Sequence, residues 1–122
     1  MMASEKTGGL LTHLFTQGLS GKRYDTVLKA VLKLKPHSEE TVLSCPLEEA
    51  SAALERCGAL FPEDTEPGEV VGFVMAGIGD RNPAVIELCP EGGALRVRAT
   101  AKEGLIPQGT SRKALEKLQG AL

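Results

Sequence analysis

The spacing of apolar residues changes near Glu69, and this change constrains the fold more than any other feature of the sequence. Before it, apolar residues recur three and four positions apart, as they do on one face of an α-helix. After it, they run together or alternate with polar residues, which is typical of β-strands. Helical segments followed by strands, within 122 residues, favour a single α+β domain.

Four helices are predicted from this spacing and from local end signals. The clearest lies before Pro36, which disfavours helical geometry in the residue that precedes it, and its apolar stripe comprises Tyr24, Val27, Leu28, Val31 and Leu32. A shorter helix is predicted over residues 10–15, and another between residues 46 and 58. The last helix begins at Thr110 or Ser111, because either hydroxyl can cap its N-terminus.

Strands are predicted over four segments, with glycine-containing turns between the later ones. They cover residues 41–44, 70–78, 84–89 and 95–100. The last segment alternates apolar and polar residues, so one face is buried and the other, with Arg96 and Arg98, is basic. The predicted order is α-α-β-α-β-β-β-α, with helices on one face of an antiparallel sheet in a two-layer α+β domain. We assign residues 10–122 to this domain and residues 1–9 to a disordered N-terminus.

The charge pattern argues against nucleic acid as a partner. The net charge of −2 provides no overall attraction to it, and Phe73 alone would offer a stacking ring on the predicted strands. Charge is nevertheless uneven, since residues 22–35 and 96–117 are rich in Lys and Arg and residues 39–69 are strongly acidic. Two interpretations stay open for the basic segments: ordinary solvated faces, or a patch that docks a partner.

Cysteine usage and hydropathy indicate the compartment. Cys45, Cys57 and Cys89 are an odd number at wide spacing, which argues against a disulfide framework and for a reducing environment. No apolar run approaches the roughly 20 residues that span a bilayer, and the N-terminus lacks the apolar segment of a signal peptide. We expect a cytoplasmic protein with no direct insertion into a membrane.

No arrangement of residues predicts catalysis, a metal or a cofactor. The cysteines and the two histidines do not fall at zinc-ligand spacing, and the glycine pairs do not match phosphate-binding loops. Cys45 precedes a predicted helix, where a thiolate would be stabilised. A thiol enzyme using Cys45 is therefore the one catalytic alternative, although no base lies near it in the sequence.

The order of several short segments resembles the C-terminal appendage of the coatomer gamma subunit. Residues 39–43 read Glu-Glu-Thr-Val-Leu, residues 47–50 read Leu-Glu-Glu-Ala, and Gly58 and Pro62 follow at the expected places. Residues 73–78 read Phe-Val-Met-Ala-Gly-Ile, which is similar to a segment of the related clathrin-adaptor appendages. Residues 100–102 read Thr-Ala-Lys, close to the end of the family's last strand pair. The resemblance extends over residues 10–122 and is a loose pattern with no single diagnostic motif.

The resemblance implies an appendage-platform fold of the TBP-like type. Such platforms dock short motifs of accessory proteins during vesicle-coat assembly, with no catalysis and no cofactor. It also implies a cytoplasmic protein, peripheral on Golgi or vesicle membranes. The chain is too short to hold the immunoglobulin-like sandwich that precedes the platform in this family.

One departure affects the expected binding site. The family's peptide site centres on a Trp, and the matching position here is Leu28, which lacks the flat ring and the indole donor. Core packing is the favoured interpretation of Leu28, and a surface position is the alternative. Lys102 matches a basic residue that the family uses near its last strand.

These observations give one leading hypothesis and one alternative from another class. The leading hypothesis is a non-catalytic module that docks motifs of accessory or coat proteins. Its binding surface is predicted to contain Tyr24, Leu28, Lys29, Arg96, Arg98 and Lys102. The alternative is a free-standing structural or chaperone-like α+β protein that dimerises through a sheet edge or through its first helix.

Overall fold

Four helices and five strands make up the computed structural model, which describes residues 5–64 and 66–122. The helices are α1 (Glu5–Thr16), α2 (Gly21–Leu32), α3 (Leu47–Cys57) and α4 (Thr110–Gly120). The strands are β1 (Lys35–Leu43), β2 (Ala59–Leu60), β3 (Val70–Ala76), β4 (Asn82–Glu91) and β5 (Ala94–Glu103). Single 3₁₀ turns lie at Pro62–Asp64 and Ile78–Asp80. The order matches the prediction, with the two-residue β2 added.

The strands form one antiparallel sheet in the order β1-β5-β4-β3-β2. Within it, β1 pairs with β5 from Lys35 opposite Glu103 to Leu43 opposite Leu95. The glycine turn at residues 92–93 joins β4 to β5 as a hairpin. The predicted α+β class, with an antiparallel sheet and flanking helices, is confirmed.

Helices cover both faces of the sheet, so the prediction that they pack on one face in two layers is wrong. Ala84 and Ile86 of β4 belong to the main core, which also contains residues of α3 and α4. Val85, between them, belongs to a second cluster with Leu11 of α1. Because neighbouring strand residues point to opposite faces, α1 packs on one face and α3 and α4 on the other. The apolar run at residues 83–86 is typical of a strand buried on both sides.

Two segments are more regular than the sequence predicts. β1 begins at Lys35 rather than at residue 41, because pairing with β5 orders a polar stretch that has little strand propensity of its own. Pro36 is tolerated there since β1 is an edge strand. α1 begins at Glu5, so residues 5–9 are helical where disorder was predicted. The prediction for residues 1–4 lies outside the described residues.

A close backbone approach at Gly72 joins β3 to β2 and α3. A Cβ at this position would lie 2.8 Å from Leu54 Cδ2 and closer still to the Ala59 carbonyl oxygen. Gly9 of α1, by contrast, has no heavy atom within 4 Å of the site of a Cβ. The two glycines therefore differ in what a methyl group would meet.

We expect Gly72→Ala to lower the free energy of unfolding by about 1–3 kcal/mol, because β2 and Leu54 must move to admit the methyl group. Gly9→Ala should raise it by about 0.5–1 kcal/mol, because alanine restricts the unfolded chain and favours the helix. Urea denaturation followed by circular dichroism measures both. Equal effects of the two substitutions would contradict the packing described at Gly72.

Candidate functional site

The three basic residues predicted on β5 share one face of the sheet. Their neighbours Val97, Ala99 and Ala101 point into the main core with α3 and α4. Arg96, Arg98 and Lys102 therefore point to the opposite face, on which α1 packs. The predicted alternation along this strand is confirmed, but the three side chains have different surroundings.

Arg98 is held by an ion pair that also anchors α1. Its guanidinium donates to both carboxylate oxygens of Glu87, with Nη2 2.9 Å from each and Nε 3.1 Å from Oε1. The buried Thr7 hydroxyl of α1 donates to the same Oε1 at 3.1 Å. Most of both charged side chains is covered. Arg98 thus joins the first helix to the middle of the sheet, which makes it a structural residue in this arrangement.

Arg96 and Lys102 are more accessible. Arg96 is exposed and its Nε lies 3.3 Å from Glu91 Oε2. The nearby Glu91 carboxylate raises the pKa of Arg96. Lys102 is half-buried, and its side chain forms no ion pair within residues 5–64 and 66–122. These two side chains are therefore more accessible than that of Arg98.

The helical part of the predicted site lies on α2, which packs chiefly against α1. Of its apolar stripe, Val31 is buried at 2% exposure, whereas Tyr24 is 37% exposed. Leu28 is half-buried, which is intermediate between the core position and the surface position considered for it, and Lys29 is exposed. The apolar side of α2 is therefore only partly covered by the rest of the described chain.

The two parts of the predicted site flank α1. One part lies on α2 beside it, and the other lies on the sheet face beneath it. Periodicity placed Tyr24 and Leu28 on one helix face and Arg96 and Arg98 on one strand face, and the resemblance singled out Leu28 and Lys102. The register of the β4–β5 hairpin places Glu87 opposite Arg98, but the sequence could not predict that Thr7, 80 residues away, donates to Glu87.

A depression of about 320 Å³ between β1 and the start of α4 was not predicted. His37 and Glu39 border it from β1, and Ser111 and Arg112 border it from α4. The Ser111 hydroxyl donates to the His37 carbonyl oxygen at 2.7 Å. The buried Glu103 carboxylate accepts the backbone N–H of Thr110 at 3.2 Å and that of Gln108, which fixes the start of α4. No sequence motif signals this arrangement, because its walls come from opposite ends of the chain.

Two of the three thiols, Cys57 and Cys89, lie in surroundings that raise their pKa. Burial raises the pKa of Cys57, and burial together with the Glu69 carboxylate raises that of Cys89. Cys45 is half-buried and packs against the main core. Across the described part of the chain, no group of three or more His, Cys, Asp or Glu side chains is placed to hold a metal ion.

Comparison with protein-family models, curated protein sequences and solved structures finds no match to this chain. Among the described helices, none is both long enough and apolar enough to cross a membrane. The interpretation of the site therefore depends on its geometry and on the resemblance noted in the sequence.

We expect Arg98→Ala to lower the free energy of unfolding by about 1–3 kcal/mol, because it leaves the partly buried Glu87 carboxylate without its strongest donor. Arg96→Ala is the matched control on the same strand, and should change stability little because its ion pair is exposed. Urea denaturation measures both. A double-mutant cycle with Thr7→Ala should show coupling through Glu87, and independent effects of the two substitutions would contradict the shared network.

The raised thiol pKa values predict a pH dependence of stability. The folded chain holds these protons more tightly than the unfolded chain, so stability present at neutral pH should be lost as the pH rises past the ordinary thiol range. Urea midpoints between neutral pH and pH of about 10 should fall less steeply for the variant with Cys57→Ala and Cys89→Ala. Identical slopes for the variant and the natural chain would refute this assignment.

Proposed function

We propose that this chain is a non-catalytic protein-interaction module that docks acidic, partly apolar motifs of other proteins. The observation that supports this most directly is the incomplete burial of the apolar stripe of α2. A candidate function from another class, a structural homodimer, is supported by the position of β1 at the edge of the sheet. The two differ in the surface that they use.

Part of the apolar stripe of α2 stays accessible although the helix packs against α1. Tyr24 is 37% exposed and Leu28 is half-buried one turn later. Residues four apart on a helix lie next to each other on one face. An aromatic ring beside an aliphatic side chain is a common centre of protein interfaces, where Tyr contributes area at little entropic cost.

The charge around the stripe selects the partner. Lys22, Arg23, Lys29 and Lys33 accompany it along α2 and its end, with Asp25 as the acid among them. Cations around an apolar centre attract acidic partners and raise their association rate. Arg96 and Lys102 form the strand part of the proposed surface on the sheet face that carries α1, the first paired with Glu91 and the second opposite Pro36, while Arg98 maintains the fold.

The appendage-platform type of fold is part of this proposal. Residues 39–43, which carry the resemblance to the coatomer gamma appendage, form the second half of β1, and residues 47–50 begin α3. An antiparallel sheet with flanking helices is compatible with such a platform. On this proposal the protein is cytoplasmic, acts in vesicle transport, and is peripheral on Golgi or vesicle membranes.

The alternative is a homodimer formed through β1. This strand lies at one edge of the sheet over nine residues, so one side of its backbone is available for pairing. Pro36, Glu39 and Glu40 oppose such pairing, because proline and charge are typical of protected edges. Light scattering that shows a monomer at all accessible concentrations would reject the dimer, and a stable dimer disrupted by Thr41→Pro would support it.

Selection from a phage-displayed library of random peptides tests the docking proposal. We expect enriched peptides to combine acidic and apolar residues. Their affinity, measured by isothermal titration calorimetry, should fall roughly tenfold or more when Tyr24→Ser and Lys29→Glu are combined, because both the apolar anchor and its neighbouring charge are lost.

The matched control is Lys6→Glu, a charge reversal at an exposed position of α1. It should leave peptide affinity within about twofold of the natural chain, since any effect is limited to weak long-range attraction. Enrichment of no peptide, or affinities that respond equally to the α2 and α1 substitutions, would reject α2 as the docking surface.

A further inference from the structure

Three connections leave the sheet at the same end. Residues 33–34 lead from α2 into the start of β1, which lies opposite the end of β5. Residues 77–81 join β3 to β4, and residues 104–109 join β5 to α4. We call residues 32–35, 77–81 and 104–109 the basic end, for the charge that they carry.

Large apolar side chains project from the basic end. Leu105 is 103% exposed and Ile106 is 74% exposed in the loop before α4. Ile78, in the turn after β3, is 62% exposed, and Leu32, at the end of α2, is 64% exposed. Clustered exposed apolar side chains lower the solubility of a protein unless they contact a partner or a membrane. Their clustering at one end of the sheet therefore indicates an interaction site.

The loop that carries Leu105 and Ile106 is anchored at its base. The buried Glu103 carboxylate accepts the N–H groups of Gln108 and Thr110. The Gln108 side-chain oxygen in turn accepts the N–H of Ile78 at 3.0 Å, which ties the two connections together. The apolar pair is thus held outward at the tip of a braced loop.

Cations surround this apolar tip. Lys33 and Lys35 line a depression of about 510 Å³ together with Leu105 and Pro107. Arg81 is exposed in the neighbouring connection. The acids at this end are already engaged, since Asp80 Oδ1 lies 2.6 Å from Lys117 Nζ and Glu103 accepts backbone N–H groups. The exposed charge that remains at the tip is positive.

The opposite end of the sheet is acidic. It carries Glu48 and Glu49 after β1 and Glu63, Glu66 and Glu69 between β2 and β3, while Glu91 at the β4–β5 hairpin is paired with Arg96. The charges thus form a dipole along the strands although the net charge is only −2. An anionic surface would attract one end of this molecule and repel the other, which fixes its orientation.

We propose that the basic end binds the surface of an anionic phospholipid bilayer. Leu105 and Ile106 enter only the boundary between headgroups and acyl chains, a shallow insertion that departs from the expectation of no direct membrane insertion, and Lys33, Lys35 and Arg81 contact lipid phosphates. A bilayer is favoured over a peptide as the occupant because Leu105 and Ile106 are 103% and 74% exposed at the loop tip, although Leu105 also borders the depression, whereas the side chains that hold a peptide are covered within a concave groove. Apolar insertion combined with a basic cluster is the physical basis of peripheral membrane attachment.

This site goes beyond the protein-docking role: it shares Leu32 and Lys33, at the end of α2, with the docking stripe, whereas Arg81, Leu105 and Ile106 belong to it alone. The membrane and protein surfaces can therefore fail independently. A chain that binds vesicles but no peptide retains this proposal and loses the docking role. A chain that binds peptide but no vesicles retains the docking role and rejects the membrane proposal.

Vesicle co-sedimentation tests the proposal with the full chain. We expect binding to phosphatidylcholine vesicles that contain about 30% phosphatidylserine and much weaker binding to phosphatidylcholine alone, because the basic cluster needs anionic headgroups. Leu105→Ser combined with Ile106→Ser should lower the partition coefficient roughly tenfold or more, since it removes the inserted apolar groups. Lys33→Glu combined with Lys35→Glu should do the same through charge.

Two controls match these variants. Val42→Ser removes an apolar side chain as exposed as Leu32, from the acidic end of β1, and Lys6→Glu reverses an exposed charge on α1. Both should bind vesicles as the natural chain does, and circular dichroism should show all variants folded. No binding to anionic vesicles, equal binding to neutral ones, or equal losses in the control variants would each overturn the proposal. Capture of an acidic peptide by the basic end without vesicle binding would assign this end to a protein instead.

Discussion

The antiparallel pairing of β4 with β5 is the constraint on which the rest of the structure depends. These two strands lie second and third in the sheet, and β4 is buried on both of its faces. One face carries the core shared with α3 and α4, and the other receives α1. The Glu87–Arg98 pair crosses between the two strands and receives Thr7, so the same hairpin that centres the sheet also fixes the first helix. The desolvation cost of partly burying this ion pair under α1 is offset because its charged atoms form hydrogen bonds.

The sequence predicted much of the fold and less of the site. Helical spacing identified α2, and alternation along β5 placed Arg96 and Arg98 on one face. The start of β1 was predicted too late, because its polar first half has little strand propensity and is ordered by pairing with β5. The second helical layer was missed because the apolar run in β4 was interpreted as one strand among several rather than as a strand buried on both sides. Glu87 is the cross-strand neighbour of Arg98 in the β4–β5 hairpin, whereas the bond from Thr7 to Glu87 could not be predicted because it is set by tertiary packing.

The surface divides into regions with different physical character. The side of α2 combines an aromatic ring, an aliphatic side chain and lysines, which suits an acidic polypeptide. The basic end presents projecting apolar groups, which suits a bilayer. The acidic end of the sheet has neither property, and its charge would hold it away from an anionic membrane. A module oriented in this way would expose α2 beside the membrane, where a second protein could reach it.

Chemical-shift mapping by NMR of the full chain tests this division most directly. Backbone amides would be followed during titration with an enriched acidic peptide and, separately, with bicelles that contain phosphatidylserine. The account predicts that the peptide perturbs amides around Tyr24, Leu28 and Lys29, and that the bicelles perturb those around Leu105 and Ile106. Perturbation of the same residues by both ligands, or of neither set by either ligand, would contradict it.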